Sequence, residues 1–240
     1  MITTKLERAG TRRSDTVSVP AETVVVDHTV AELVERARAL AIPGDRHILG
    51  ITGAPGAGKS TLAAAIVEQL GPDLAVLVPM DGYHLANVVL HALGRRDRKG
   101  AHDTFDDAGY THLLERLHRS RVAPGQPGAD EIVYAPEFRR EIEEPIGSAL
   151  PVRPDVPLVV TEGNYLLLDR DTWPRARACV DEVWFLAPDE DLRHDRLIRR
   201  HEAFGKSPQD ARQWALGTDQ RNADLIAAGA DRADLVVRIR

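Results

Sequence analysis

The chain has 240 residues, 43% of them hydrophobic, a formal net charge of −6 and one cysteine, Cys179. That length supports the core of one large domain or two small ones, and a lone cysteine excludes an intrachain disulfide or a cysteine-based zinc site. The acidic balance gives no reason to expect nucleic acid or an anionic membrane surface as the main partner, and the chain has neither an apolar signal core nor a bilayer-length apolar run, so a cytoplasmic protein is the default expectation.

Residues 1–24 read as a polar tail, with Thr16 to Val19 as a candidate short strand. Thr29 and Glu32 form a capping box ahead of the helical spacing Val30, Leu33, Val34, Ala37, Leu40, and Pro43 with Gly44 ends that helix. The stretch HILGITGAPGAGKSTLAAAIVEQL, His47 to Leu70, then organises the chain. An apolar strand enters Gly53, Ala54, Pro55, Gly56, Ala57, Gly58, Lys59, Ser60 and Thr61, and an amphipathic helix leaves it. This is the G-x-x-x-x-G-K-S phosphate loop in its strand–loop–helix setting. Its amides and helix N-terminus suit phosphate oxygens, Lys59 suits the β- and γ-phosphates, and the Ser60 hydroxyl suits Mg²⁺.

Leu74 to Val78 reads as a buried strand, with Asp81 just beyond its end, and Leu85 to Leu93 as a helix. Gly94 to Thr104 reads as an exposed, mobile charged loop, and Tyr110, Leu113, Leu114 and Leu117 as a helix. Arg121 to Asp130 is expected as a loop, Glu131 to Tyr134 as a short strand, Phe138 to Glu144 as a brief helix stopped by Pro145, and Pro151 to Pro157 as a turn. Strands follow at the segment ending in Glu162 and at Glu182 to Ala187. Asp189 to His201 is a helix carrying Arg193, Arg196, Arg199 and Arg200; Ser207 and Pro208 start another, a further one runs over Asp224 to Ala228, and Asp234 to Ile239 closes the chain as a strand. Strands alternating with helices predict an α/β fold: an open parallel sheet with helices on both faces. Residues 25–240 are expected as one domain, with acceptor-binding insertions at about 81–145 and a helical lid at about 190–208.

Asp81 and Glu162 both fall on the sheet edge where the phosphate loop opens. A carboxylate at Asp81 suits a general base for a hydroxyl, or a Mg²⁺ contact, and Glu162 suits a water-mediated Mg²⁺ contact. The helix bearing Arg193, Arg196 and Arg200 on one face suits the charge of a transferring phosphoryl group. Arg98 and Lys99 could close over substrate, and Tyr83, His84 and Asp103 line the expected cavity. The histidines contain no H-x-x-x-H pair and have no cysteine partner, which speaks against structural zinc.

Seven ordered motifs carry a resemblance over about residues 25 to 238: GAPGAGKST, PMDGYHL, RKGAHDTFD, VYAPEFRREIEEPI, TEGNYLLLD, RLIRRHEAFG and QRNADLIAAGADRADLVV. They are similar to the phosphoribulokinase and uridine kinase family, which includes bacterial pantothenate kinase, and within it to the nucleoside/nucleotide kinase or fructose transport system kinase branch. The resemblance implies a P-loop kinase fold and transfer of the ATP γ-phosphate, with Mg²⁺, to a hydroxyl of a nucleoside, sugar or pantothenate-like acceptor. It implies Asp81 as catalytic base, Glu162 in the Walker B position, Arg196 and Arg200 on the lid, and Asn222 near the adenine. Arg98, Lys99, Asp103, Tyr134, Arg140 and Asn164 resemble acceptor-side residues. The branch has Asp then Arg after PEF, whereas here Arg139 precedes Arg140; Arg139 therefore either changes the pocket's charge or faces solvent. Two other readings stand beside the kinase. One is a GTPase or ATPase switch, for which Asp106 to Gly109 is a weak D-x-x-G match without any N-K-x-D. The other is a nucleotide-binding regulatory protein without catalysis. The expected partner is a small hydroxylated molecule, and a homodimer is compatible with the sequence.

Overall fold

The computed structural model describes residues 23–120 and 131–240. The candidate strand at Thr16 to Val19, most of the expected tail and the loop from Arg121 to Asp130 lie outside the described residues. Six parallel strands make the main sheet: β1 (Val26–His28), β2 (His47–Gly53), β3 (Ala75–Leu77), β6 (Leu158–Glu162), β7 (Glu182–Leu186) and β8 (Leu235–Ile239), in the spatial order β1-β8-β7-β2-β6-β3. Two further strands, β4 (Val133–Arg139) and β5 (Glu144–Val152), form a separate antiparallel hairpin.

The central strands are continuous apolar runs because both sheet faces are covered. Alternation sends Ile48, Val159, Val183 and Phe185 to one face, where they pack with Tyr110, Leu114, Tyr165 and Trp173. Leu49, Ile51, Val160 and Trp184 point to the other face and meet Leu33, Leu62 and Ile66. The helices responsible are α4 (Asp107–Arg119) and α5 (Trp173–Ala178) on the first face, and α1 (Val30–Leu40) and α2 (Lys59–Leu70) on the second. The Thr29–Glu32 capping box is formed in full, with Glu32 N–H donating to Thr29 Oγ1 at 3.2 Å. Because β2 lies between β6 and β7, chain direction diverges on its two sides, and a crevice opens at its C-terminal end.

Three expectations change. Phe138 to Glu144 is not a helix: Phe138 pairs with Pro145 and Arg139 with Glu144 across the hairpin, and residues 140–143 turn, with Glu143 at φ +55. Pro136, Pro145 and Pro151 lie in these strands, and cross-strand pairing outweighs the local helical spacing of FRREIEE. The turn expected from Pro151 accordingly starts later, because β5 runs to Val152. The segment from Gly94 to Thr104 is not open throughout: Thr104 is fully buried, and Tyr165 Oη donates to Gly100 O at 2.6 Å. The edge strand β1 had no sequence signal, being three largely exposed residues. The remaining helices are α3 (Asn87–Ala92), α6 (Glu190–Ala203), α7 (Pro208–Leu216) and α8 (Thr218–Ala227).

The hairpin seats on the turn that carries Asp81. A Cβ at Gly82 would lie 2.4 Å from the Pro136 carbonyl oxygen, so only glycine permits this approach. Gly82→Ala is therefore expected to cost about 1–3 kcal/mol through overpacking, a fall of roughly 2–12 °C in Tm for a chain of this size. Thermal unfolding of both proteins checks it; an unchanged Tm would mean that the hairpin does not bear on this turn.

Candidate active site

The phosphate loop has the backbone that its glycines predict. At Gly53, φ +144, a Cβ would lie 2.7 Å from the Leu186 carbonyl. Ala57 N–H donates to Ala54 O at 3.0 Å, closing a turn with Pro55 second and Gly56 third at φ +82, the signature of type II. Gly58, at φ +99, caps α2 without any side-chain hydrogen bond, so the first helical N–H groups remain open to an anion. Thr61 is exposed on the first turn of α2.

Three polar side chains from three strand ends converge here. Lys59 is buried, and its Nζ donates to Gly53 O at 2.9 Å and to Ala54 O at 3.1 Å. Burial pulls its pKa down to about 8, against the opposing pull of Glu162 and Asp81. Glu162, paired in register with Ile51 of β2, accepts from Ser60 Oγ at 2.9 Å. Burial raises its pKa, and the Asp81 charge raises it further. Asp81 stands on a 3-10 turn, Met80–Tyr83, just after β3, and Arg140 Nη2 lies 3.5 Å from its carboxylate.

Helix α6, the expected lid, packs on the loop: a Cβ on Gly56 would be 2.8 Å from Leu197 Cγ and 3.0 Å from Arg193 O. Arg196 Nη1 would be 3.7 Å from a Cβ on Gly58. Arg200 keeps surface open to solvent, while partial desolvation and then the Arg140 charge lower its pKa. Sequence spacing groups Arg193 with these two, but it is fully buried and donates to Pro55 O at 3.2 Å.

The acceptor-side candidates divide. His84 Nδ1 is 2.8 Å from Asp81 O, and its ring lies between Phe105 and Phe138 at centroid distances of 4.0 and 4.7 Å. Burial lowers its pKa, which favours the neutral ring. Tyr83 packs edge-on to Tyr110, and burial pushes its hydroxyl up to about 12. Arg98 and Asp103 pair with each other at 2.7 Å, and Lys99 donates to Asn87 Oδ1 at 2.9 Å and to Glu143 O, so these groups tie the cap together. Asn164 is half-buried beside the loop strand, and its carbonyl accepts from Thr52 Oγ1 at 3.3 Å. Tyr134 is exposed on β4. Of the two placements open to Arg139, the structure has the outward one, with the guanidinium on Glu137 at 2.7 Å and exposed. Asn222 does not line the cleft of about 230 Å³ beside the phosphate loop; Ala54, Phe185, Pro188, Glu190, Arg193 and Ala227 are among the residues that do. No sequence motif signals that cleft, because strand ends and backbone build much of it.

Three comparisons bear on this geometry. No protein-family model matches the chain. The ATP-dependent kinase-like protein notR' of Aspergillus versicolor is 37% identical over 61% of this chain and 86% of its own. The putative uridine kinase C227.14 of Schizosaccharomyces pombe is 32% identical over 86% and 89%. The crystal structure of a putative fructose transport system kinase from Silicibacter sp. TM1040 superposes with a TM-score of 0.70, at 33% identity, covering 88% of this chain and 98% of that one. The chain belongs to the uridine kinase-like P-loop kinases.

As a member of that family it is an ATP-dependent phosphotransferase with an alcohol acceptor. The D-x-x-G match that favoured a switch has a local explanation in this kinase: Asp106 caps α4, accepting from Gly109 N–H at 2.9 Å. Among the described residues no helix is long and apolar enough to cross a membrane. The buried lysine of the kinase makes stability depend on pH. Its folded pKa lies below the ordinary 10.5, so the cost of burying the charge is complete below about pH 8 and disappears as pH rises towards 10.5. Lys59→Met is expected to melt above wild type at pH 7, with the gap closing as the pH passes from about 8 to 10. A gap independent of pH would show that Lys59 is not a strained cation.

Proposed function

We propose that the protein transfers the γ-phosphoryl group of ATP, with Mg²⁺, to a hydroxyl of a small nucleoside, sugar or pantothenate-like acceptor. One observation carries this reading: Asp81 stands on the turn just after β3, near enough for its charge to act on Lys59 and Glu162, with Arg140 Nη2 3.5 Å from its carboxylate. A carboxylate at that place accepts the acceptor's hydroxyl proton as the oxygen attacks phosphorus, while Arg140 orients it. The loop amides and Lys59 hold the β- and γ-phosphates, and Arg196 and Arg200 meet the charge that spreads over the phosphoryl oxygens in the transition state. The cleft of about 230 Å³ beside Ala54 is the place for the base.

The residues fit a divalent cation. Glu162 and Asp81 are like charges that raise the Glu162 pKa in a buried site, and the Ser60 hydroxyl lies 2.9 Å from Glu162 Oε1. Ser60, directly or with Glu162 and Asp81 through water, would hold Mg²⁺, which would supply positive charge against the phosphate oxygens. The hairpin and the 94–104 segment wall the acceptor side, and His84, Tyr83 and Arg140 offer polar atoms to orient it. This reading has a small molecule as partner, with no nucleic acid or membrane, in the cytoplasm; a homodimer is compatible with it.

Asp81→Asn is expected to lower kcat by 10²–10⁴-fold with little change in the KM for ATP. Acceptor-dependent ADP release, screened over nucleosides, hexoses, pentoses, their monophosphates and pantothenate, supplies the assay. A kcat equal to wild type removes Asp81 from proton transfer, and ADP release that no acceptor accelerates removes the kinase reading.

A further inference from the structure

Arg193 is the fully buried one of the α6 arginines, and it is bonded to the phosphate loop through the Pro55 carbonyl. Its Nε and Nη2 fork onto the Glu190 carboxylate at 2.9 and 2.7 Å. Nη2 also donates to Gln220 Oε1 at 2.6 Å, and Gln220 is itself oriented by its Nε2 donating to Asp224 Oδ1 at 3.0 Å. His194 Nε2 lies 3.0 Å from the same Nη2. Nη1 remains, and it donates to Pro55 O, the carbonyl of the middle peptide in the type II turn of residues 54–57. Burying a guanidinium is costly unless its partners are complete. Here three elements supply them, and one partner is the phosphate loop itself.

The middle peptide of such a turn has two orientations. Types I and II differ by rotating it through about 180°, and Gly56, without a Cβ, opposes neither. The peptide is trans, so its C=O and N–H point in opposite directions. With Pro55 O held towards the lid, the Gly56 N–H is directed away from the lid arginine and into the loop's concave side. In the flipped orientation a carbonyl oxygen would face the bound anion. We infer that Arg193 is a positioning residue for the donor phosphates: by holding the Pro55 carbonyl it keeps the Gly56 amide in the phosphate cradle. It thereby differs in task from Arg196 and Arg200, although all three share a helix face in sequence.

The inference rests on the reading of Gly53 to Ser60 as the donor site, and the test separates the two. Calorimetric titration of wild type and Arg193→Met compares ATP with inorganic tripolyphosphate, which lacks the base and so makes no use of the cleft that Arg193 also lines. Arg193→Met is expected to weaken tripolyphosphate by roughly tenfold or more, the worth of a charge-assisted hydrogen bond, with the far-ultraviolet circular dichroism of wild type retained. Loss of tripolyphosphate binding together with loss of that helical signal would mean general collapse of the fold and would overturn the inference. So would undiminished tripolyphosphate binding, with wild-type ATP binding intact and the donor-site reading untouched. Wild type that binds neither ATP nor tripolyphosphate sinks both. A second measurement needs no variant: in ¹⁵N-labelled wild type the Gly56 amide resonance should shift strongly on adding tripolyphosphate, and a stationary resonance refutes the role.

Discussion

The parallel pairing of β2 with β6 and β7 is the constraint on which the rest depends. Parallel strands run their C-terminal ends to one edge, so whatever follows or terminates them meets there. Ile51 is opposite Glu162 and Gly53 opposite Leu186, which sets the phosphate loop between an acidic strand end and the start of the lid. A one-residue slip of β6 against β2 would turn Glu162 to the opposite face of the sheet. The alternating cores on the two faces prevent that slip, since Val159 and Val160 each require their own side.

The edge collects charge that a core would not tolerate. Lys59 is buried and destabilised as a cation, Glu162 is buried and destabilised as an anion, and each relieves the other in part. Asp81 and Arg140 form a more exposed ion pair beside them. Buried, strained groups such as Lys59 and Glu162 are characteristic of sites arranged for a charged ligand rather than for stability. The surrounding scaffold accordingly holds them by backbone contacts that admit no side chain, at Gly53 against Leu186 and at Gly82 against Pro136.

The donor half was legible because its parts are contiguous: the loop glycines, Lys59, Ser60 and the following helix lie within one stretch. The acceptor half was read less well. FRREIEE has helical spacing and many charges, but its partners are the residues across a hairpin, and pairing of that kind leaves no period in one strand alone. Arg139 and Arg140 are neighbours in sequence, yet Arg139 ends β4 with its guanidinium on Glu137 while Arg140, already in the turn, reaches Asp81. Lys99, Arg98 and Asp103 have the chemistry of substrate contacts and are engaged in holding the cap together.

The sequence by itself determined the α/β class, the phosphate loop, the Thr29–Glu32 capping box and the strand ends that carry Asp81 and Glu162. Each of these is a local pattern in which side-chain type and spacing follow directly from backbone geometry. Only the tertiary structure decided the strand order, the hairpin, the outward course of Arg139 and the burial of Arg193. Those depend on which distant segment each residue meets. Arg193, Arg196 and Arg200 are the sharpest case. Helical spacing places them alike, and it is the packing of α6 on Gly56 and of Gln220 on α8 that buries one and leaves the other two facing the loop and the acceptor side.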